Sequence, residues 1–351
     1  MTYYRKFLAL SQSLAAVTVV SVLVAAASAD PLPGRDVLKF SQRPMDGLTI
    51  TDSAGVTSAY FGHDELSTAY GSVSADGTIP IYQGRFMADD FADRFDSPVV
   101  HVKWWGSYLN NVINPDFPVD KFLITFESDI PADPTDPNSF SRPGTPLLNQ
   151  IVRRGPLAPS SGTFTEALIS PGGPPLGERL YEYNAELHLD KEFPEVADEV
   201  YWLKIVALVD LIPGINIDPI NPPTNITQWG WHNRDYSVMD PLASVAPAVI
   251  PGEAVVGTVP GTSVDIWHFQ DDAVTGIVGI DTTQSPVGQI MPEVVQDLVQ
   301  PTHYLDFIDG PQGISQFSQD LAFELYTIPE PATCMLLVFG LGTIAIGRQR
   351  S

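Results

Sequence analysis

The sequence predicts an all-β fold, a jelly-roll-like β-sandwich with long proline-rich loops. Three observations carry this. Short runs rich in β-branched and aromatic residues recur along the chain. Prolines, 32 in all, gather between those runs in 131–146, 156–175, 213–223 and 241–260, where a residue without an N–H marks breaks in a ladder. Between 80 and 327 no long amphipathic helical period appears.

The strand candidates are Val99–Tyr108 (VVHVKWWGSY), Lys121–Glu127 (KFLITFE), Leu180–His188 (LYEYNAELH), Val200–Val209 (VYWLKIVALV) and Leu321–Thr327 (LAFELYT). In the third, Tyr181, Tyr183, Ala185 and Leu187 alternate with Glu182, Asn184 and Glu186, the period-2 mark of a strand with one apolar and one wet face. In the fourth, apolar residues fill both faces, as in a central strand covered on both sides. The expected division is a signal peptide over 1–29, a lead-in segment over 30–86, the β-sandwich domain over 87–327 and a terminal segment over 328–351.

The two ends read as delivery signals. Arg5 and Lys6, the apolar run Leu14–Ala27 and the small residues Ala27-Ser28-Ala29 form the pattern of a secretory signal peptide, with a mature start at Asp30. At the other end, Pro329-Glu330-Pro331 precedes the uncharged run 332–347, and Arg348 and Arg350 follow it. At about 1.5 Å per residue the run spans roughly 24 Å, a little less than a hydrocarbon core of about 30 Å. The basic tip orients such a helix toward the cytoplasm, and the short span suits transient anchoring in the inner membrane.

This end of the chain resembles proteins with a PEP-CTERM sorting signal, in which a Pro-Glu-Pro motif, an apolar helix and a terminal Arg cluster occur in that order. The resemblance implies recognition by an exosortase, removal of the tail, and a surface or extracellular-matrix location in a system linked with exopolysaccharide. A second resemblance rests on MADDF (87–91), VKWWGSY (102–108), SRPG (141–144), VYWLKIVA (200–207), WGW (229–231) and LAFELYT (321–327). That series is similar to a family of uncharacterised secreted bacterial β-domain proteins, often bearing this same tail, and implies no established activity.

Charge excludes some partners. With 42 acidic and 18 basic residues the net charge is −24. The two end segments 1–29 and 332–351 hold Arg5, Lys6, Arg348 and Arg350 and no acid, so their removal makes the body more acidic still. Such a surface repels nucleic acid and anionic headgroups. The single cysteine, Cys334, lies in the tail, so a body without the tail has no disulfide and no thiolate nucleophile.

Catalytic signatures are missing: no H-E-x-x-H, P-loop, G-x-S-x-G or dinucleotide fingerprint is present. His63, His101, His188, His232, His268 and His303 are scattered without ligand spacing. Glu182 and Glu186 share a strand face, but about 13 Å between their positions exceeds the roughly 5–10 Å of a glycosidase pair. No cofactor is expected; Ca²⁺ is the one candidate ion, at Asp89-Asp90, Asp271-Asp272 or the loop oxygen ligands Asp133, Asp136 and Asn138. Two alternatives accompany the expectation of a non-catalytic surface protein. One is a glycan-binding module using Trp104, Trp105, Tyr108, Trp229 and Trp231 as stacking faces, and the other is a secreted hydrolase of unrecognised type.

Overall fold

The computed structural model describes residues 36–44, 48–51, 57–60, 64–72, 81–92, 96–131, 135, 141–171, 179–188, 192–197, 199–234, 255–258, 265–267, 273–284, 290–299 and 320–328. Two compact units divide the chain, one of Leu38–Thr327 and one of Met1–Val37 with Ile328–Ser351. The expected signal peptide, the apolar run 332–347, and Pro329, Glu330, Pro331, Arg348 and Arg350 all lie outside the described residues. Among the described residues no helix is long and apolar enough to cross a membrane.

The larger unit is all-β. Its early strands are β1 (Val37–Gln42), β2 (Leu48–Thr51), β3 (Thr57–Tyr60), β4 (Asp64–Leu66), β5 (Thr68–Ser72) and β6 (Ile81–Phe91). The middle strands are β7 (His101–Tyr108), β8 (Val119–Ile130), β9 (Arg142–Arg154), β10 (Thr163–Ser170), β11 (Leu180–Glu186), β12 (Tyr201–Leu211) and β13 (Trp229–His232). The rest are β14 (Val255–Thr258), β15 (Asp265–Trp267), β16 (Val274–Asp281), β17 (Glu293–Val299) and β18 (Phe323–Thr327). Fourteen of them join in one hydrogen-bonded sheet of order β1-β18-β7-β11-β10-β9-β8-β12-β5-β6-β16-β17, with β13 bridging β7 to β4. β2 with β3, and β14 with β15, make separate pairs.

The large sheet curls over its own aromatic face. Trp104 on β7 meets Phe122 on β8 with ring centroids 5.1 Å apart, although three strands separate β7 from β8 along the ladder. Trp104 also stacks on Tyr183 at 5.4 Å, and Phe122 meets Trp229 edge-on at 4.9 Å. Each such pair adds about 0.5–1.5 kcal/mol beyond the area it buries. β12 shows why its run is apolar on both sides. Tyr201, Leu203, Ile205, Ala207 and Val209 join this aromatic core, while Trp202, Val206 and Leu208 join a second core with Phe86, Val278 and Ile280.

Glycine permits the close approach of β13 to β7. A Cβ at Gly106 would stand 2.4 Å from the Gly230 carbonyl oxygen and 2.4 Å from the Trp229 ring, so no other residue fits there without moving the crossing strand.

The larger unit runs from Leu38 to Thr327, across the division expected between 86 and 87. β5 shows the cause: Ala207 to Leu211 pair with Thr68 to Ser72, so a short TAYGS segment without strong strand chemistry is held by its neighbour. The proline clusters also contain strands. Pro143 and Pro146 belong to β9, opposite Asp129 and Glu127 where the register shifts. β10 meets β9 only at Arg153 and Arg154, so the proline half of β9 is an edge, where a missing N–H costs little.

Candidate functional site

A cluster of charged and polar side chains lies on the outer face of β7. Pleating sends Val102, Trp104 and Tyr108 inward and puts His101, Lys103, Trp105 and Ser107 on the other side. The ladders then align partners beside them. Glu186, Asn184 and Glu182 of β11 stand opposite His101, Lys103 and Trp105, and Tyr326 and Glu324 of β18 stand opposite His101 and Lys103.

These groups are mutually bonded. His101 Nδ1 lies 3.1 Å from Glu186 Oε1 and Nε2 lies 3.1 Å from Asn184 Oδ1. Asn184 Nδ2 donates to Glu182 at 2.9 Å, which fixes the amide so that its oxygen faces the imidazole. Lys103 Nζ is 3.3 Å from Glu324 and lies 5.8 and 5.7 Å from the Trp105 and Tyr326 ring centroids, within cation–π range. Glu324 also accepts from Ser41 Oγ at 3.1 Å and from the Tyr326 hydroxyl. Burial, then the Glu324 charge, raises the Tyr326 phenol well above its usual range.

At the far end of the same face Ser107, Asp64 and His232 come together. Ser107 Oγ donates to Asp64 Oδ2 at 2.5 Å, and His232 Nδ1 stands 3.0 Å from Asp64 Oδ1. The order is serine to aspartate to histidine. A nucleophilic triad needs the imidazole between hydroxyl and carboxylate, so this trio holds β4 against β7 and β13 without activating the hydroxyl.

The aromatic stacking residues are placed otherwise than the sequence suggests. Trp104, Trp105, Tyr108, Trp229 and Trp231 are all buried, none more than 5% exposed. Trp229 Nε1 donates to the Tyr183 hydroxyl at 3.1 Å and Trp231 Nε1 to the Ala322 carbonyl at 2.9 Å. Even Trp105, on the outer face, packs against Leu180 and Ala322. No ring in this set offers a face to a sugar; with both sides of β7 and β13 covered, alternation does not expose an indole.

The carboxylate candidates also part company. Asp89 and Asp90 are consecutive in β6 and point to opposite faces, so they cannot ligate one ion together as neighbours in a loop would. Asp89 accepts from the Leu321 N–H at 2.8 Å, and burial, then Asp320 and Asp90, raise its carboxyl well above the ordinary range. Glu182 and Glu186 are held by Asn184 and His101 as described. Asp133, Asp136, Asn138, Asp271, Asp272, His63, His268 and His303 lie outside the described residues.

Sequence reasoning missed two networks, one reaching the surface and one buried. Tyr108 donates to Glu166 at 2.5 Å, and Arg154 donates to the same carboxylate at 3.2 Å through each terminal nitrogen. Lys204, fully buried, pairs with Glu127 and, at 2.6 Å, with Glu293. The one available signal was a lysine inside the apolar run VYWLKIVALV, which demands a partner once both faces are covered.

A single all-β unit ending in its last strand at Thr327, followed by a tail with export-type chemistry, defines an exported protein of the sorted class. Residues 327–351 match the PEP-CTERM protein-sorting motif. Residues 38–256 match the family described as a domain of unknown function, DUF7901, and the chain belongs to that family. No curated protein and no solved structure matches it.

Proposed function

We propose that the chain is a cell-surface or extracellular-matrix protein delivered by an exosortase, and that its β unit is a non-catalytic body. The observation that carries this reading is the sorting motif over 327–351, which begins where the last strand ends. The signal peptide 1–29 exports the chain, and the helix 332–347 holds it briefly in the inner membrane until the tail is cut. The curled sheet is read as a two-layered, jelly-roll-like sandwich because its ring contacts join strands remote along the ladder. The non-catalytic reading is supported by the polar face, where Glu324, Glu186 and Asp64 have an ammonium, an imidazole and a hydroxyl against them respectively. Matrix exopolysaccharide is the proposed surrounding, and exosortase the processing partner.

The mechanism of delivery follows from the tail. Pro331 begins a helix yet donates no hydrogen bond, so the backbone before it stays open to a protease at membrane depth. Arg348 and Arg350 resist translocation. Replacing Pro329, Glu330 and Pro331 by alanine leaves an uncut, membrane-bound form in cells that hold an exosortase. Immunoblots of membrane and external fractions read the outcome, and identical size and distribution for both forms would refute sorting through this motif.

A further inference from the structure

Lys204, Asn149 and Glu293 form a buried constellation on the second face of β12. In the ladders Lys204 and Asn149 both stand opposite Thr125 of β8. Two strand spacings, roughly 9.5 Å, therefore separate their backbones. Glu293 of β17 closes the gap from above. One carboxylate oxygen is 2.6 Å from Lys204 Nζ and the other accepts from Asn149 Nδ2 at 2.8 Å. The Asn149 amide is oriented by backbone groups, since Nδ2 also donates to the Met291 carbonyl at 2.8 Å and Oδ1 accepts from the Met291 N–H at 2.8 Å. Glu127 touches the same ammonium, and the Phe86 ring centroid is 5.0 Å from Nζ.

We propose that this is a modification site at which Lys204 and Asn149 join in an intramolecular isopeptide bond, with Glu293 moving the protons. The chemistry balances within the site. The Lys204 ammonium yields a proton to Glu293, and the neutral amine attacks the Asn149 Cγ. The developing oxyanion on Oδ1 is met by the Met291 N–H, a fixed donor of the kind that stabilises such intermediates. Glu293 returns its proton to Nδ2, the Cγ–Nδ2 bond breaks, and ammonia leaves. The second proton from the former ammonium stays on a carboxyl. No oxidant or cofactor enters.

Two physical features favour the step. Burying one ammonium with two carboxylates is costly, and the reaction exchanges them for a neutral amide, one carboxylic acid and one carboxylate. Burial, opposed by Lys204, already raises the Glu127 carboxyl above its ordinary range, so one acid in the cluster is inclined to hold a proton. Burial alone would lower the Lys204 ammonium, but Glu293 and Glu127 outweigh it and hold the proton more tightly. With its single cysteine in the tail at position 334, a tail-cleaved surface protein has no disulfide available, and this bond would tie β9 to β12 across β8.

The test is the intact mass and tryptic map of the folded wild-type protein isolated from its host. The expected mass is lower by one ammonia than that calculated for the chain between its observed termini, with no cleavage after Lys204 and one branched peptide joining it to Asn149. Glu293→Gln and Asn149→Leu should each restore the unshifted mass and the cleavage. Folded wild type with the unshifted mass overturns the proposal whatever the variants do. A loss of water, with the branch on Glu127 or Glu293, overturns the assignment to Asn149.

Discussion

The two faces of β7 are built from alternate residues of one eight-residue strand, and they are held by different physics. Inward, Trp104 is sealed by Tyr183, Phe122 and Phe164, and its contribution comes from apolar area and ring contact. Outward, one residue earlier, Lys103 is bonded to a carboxylate and flanked by two rings, with its side chain still 18% exposed. Dispersion and dehydration do not weaken in salt, whereas an ion pair with one partner still partly in water does. The inner face thus depends on apolar packing, and the outer face, also covered, on a network of ion pairs and hydrogen bonds.

Trp104→Ala is the harshest way to probe that division. It should cost about 3–5 kcal/mol, as large-to-small aromatic changes in cores do, read as a lowered denaturant midpoint or as insoluble expression. A loss below about 1 kcal/mol would mean that the aromatic face is not the folding core.

Lys204→Met asks what happens when charge is placed in an interior instead of on a face. In protein whose Lys204 is not joined to Asn149, breaking the buried pair by removing one partner costs about 3–5 kcal/mol, because Glu127 and Glu293 then lie buried without their ammonium. Burial already raises the folded pKa of Glu127 above its ordinary value, with Lys204 opposing the rise, so without the ammonium it stands higher still. The deficit is therefore small below the ordinary carboxylate range near pH 4 and grows as pH rises through the raised folded value. Urea titrations at pH 5 and pH 8 should show the larger loss at pH 8, and equal losses would contradict the charge-burial account.

Asp89→Asn extends the same logic. Since the folded pKa of Asp89 is raised, its favourable contribution is full below its unfolded pKa and lost as pH rises through the folded value. The wild-type unit should lose stability between acid and neutral pH, and the variant should show a shallower slope. A slope unchanged by the substitution would place the dependence elsewhere. The mildest change is Lys103→Ala, expected within about 1 kcal/mol and shrinking in salt. If it rivalled Trp104→Ala, the contrast between the faces would collapse.

How much of this was legible depends on whether the signal is local. The alternation of Tyr181, Tyr183 and Ala185 with Glu182, Asn184 and Glu186 gave the correct inside and outside of β11, because pleating is a property of the strand alone. The apolar run of β12 likewise foretold cover on both sides. Wetness did not follow from polarity, since Glu186 is 1% exposed beside His101. Nor did proline reliably mean loop: the permissive edge at Pro143 and Pro146 exists only because β10 meets β9 at its other end. The burial of Trp105 on the outer face had no local signal for the same cause, as its cover includes Ala322 beside β18, which is distant in sequence. The meeting of Lys204, Asn149 and Glu293 is the extreme case, with no local trace beyond a lysine in an apolar run.

The account rests on delivery through the tail, and the most direct measurement is peptide mapping of the protein recovered from the cell surface of its host. The expected result is a form whose domain peptides are present through the last strand while peptides from the apolar run 332–347 and its Arg348–Arg350 tip are absent. A surface form that retains those terminal arginines would contradict sorting by cleavage.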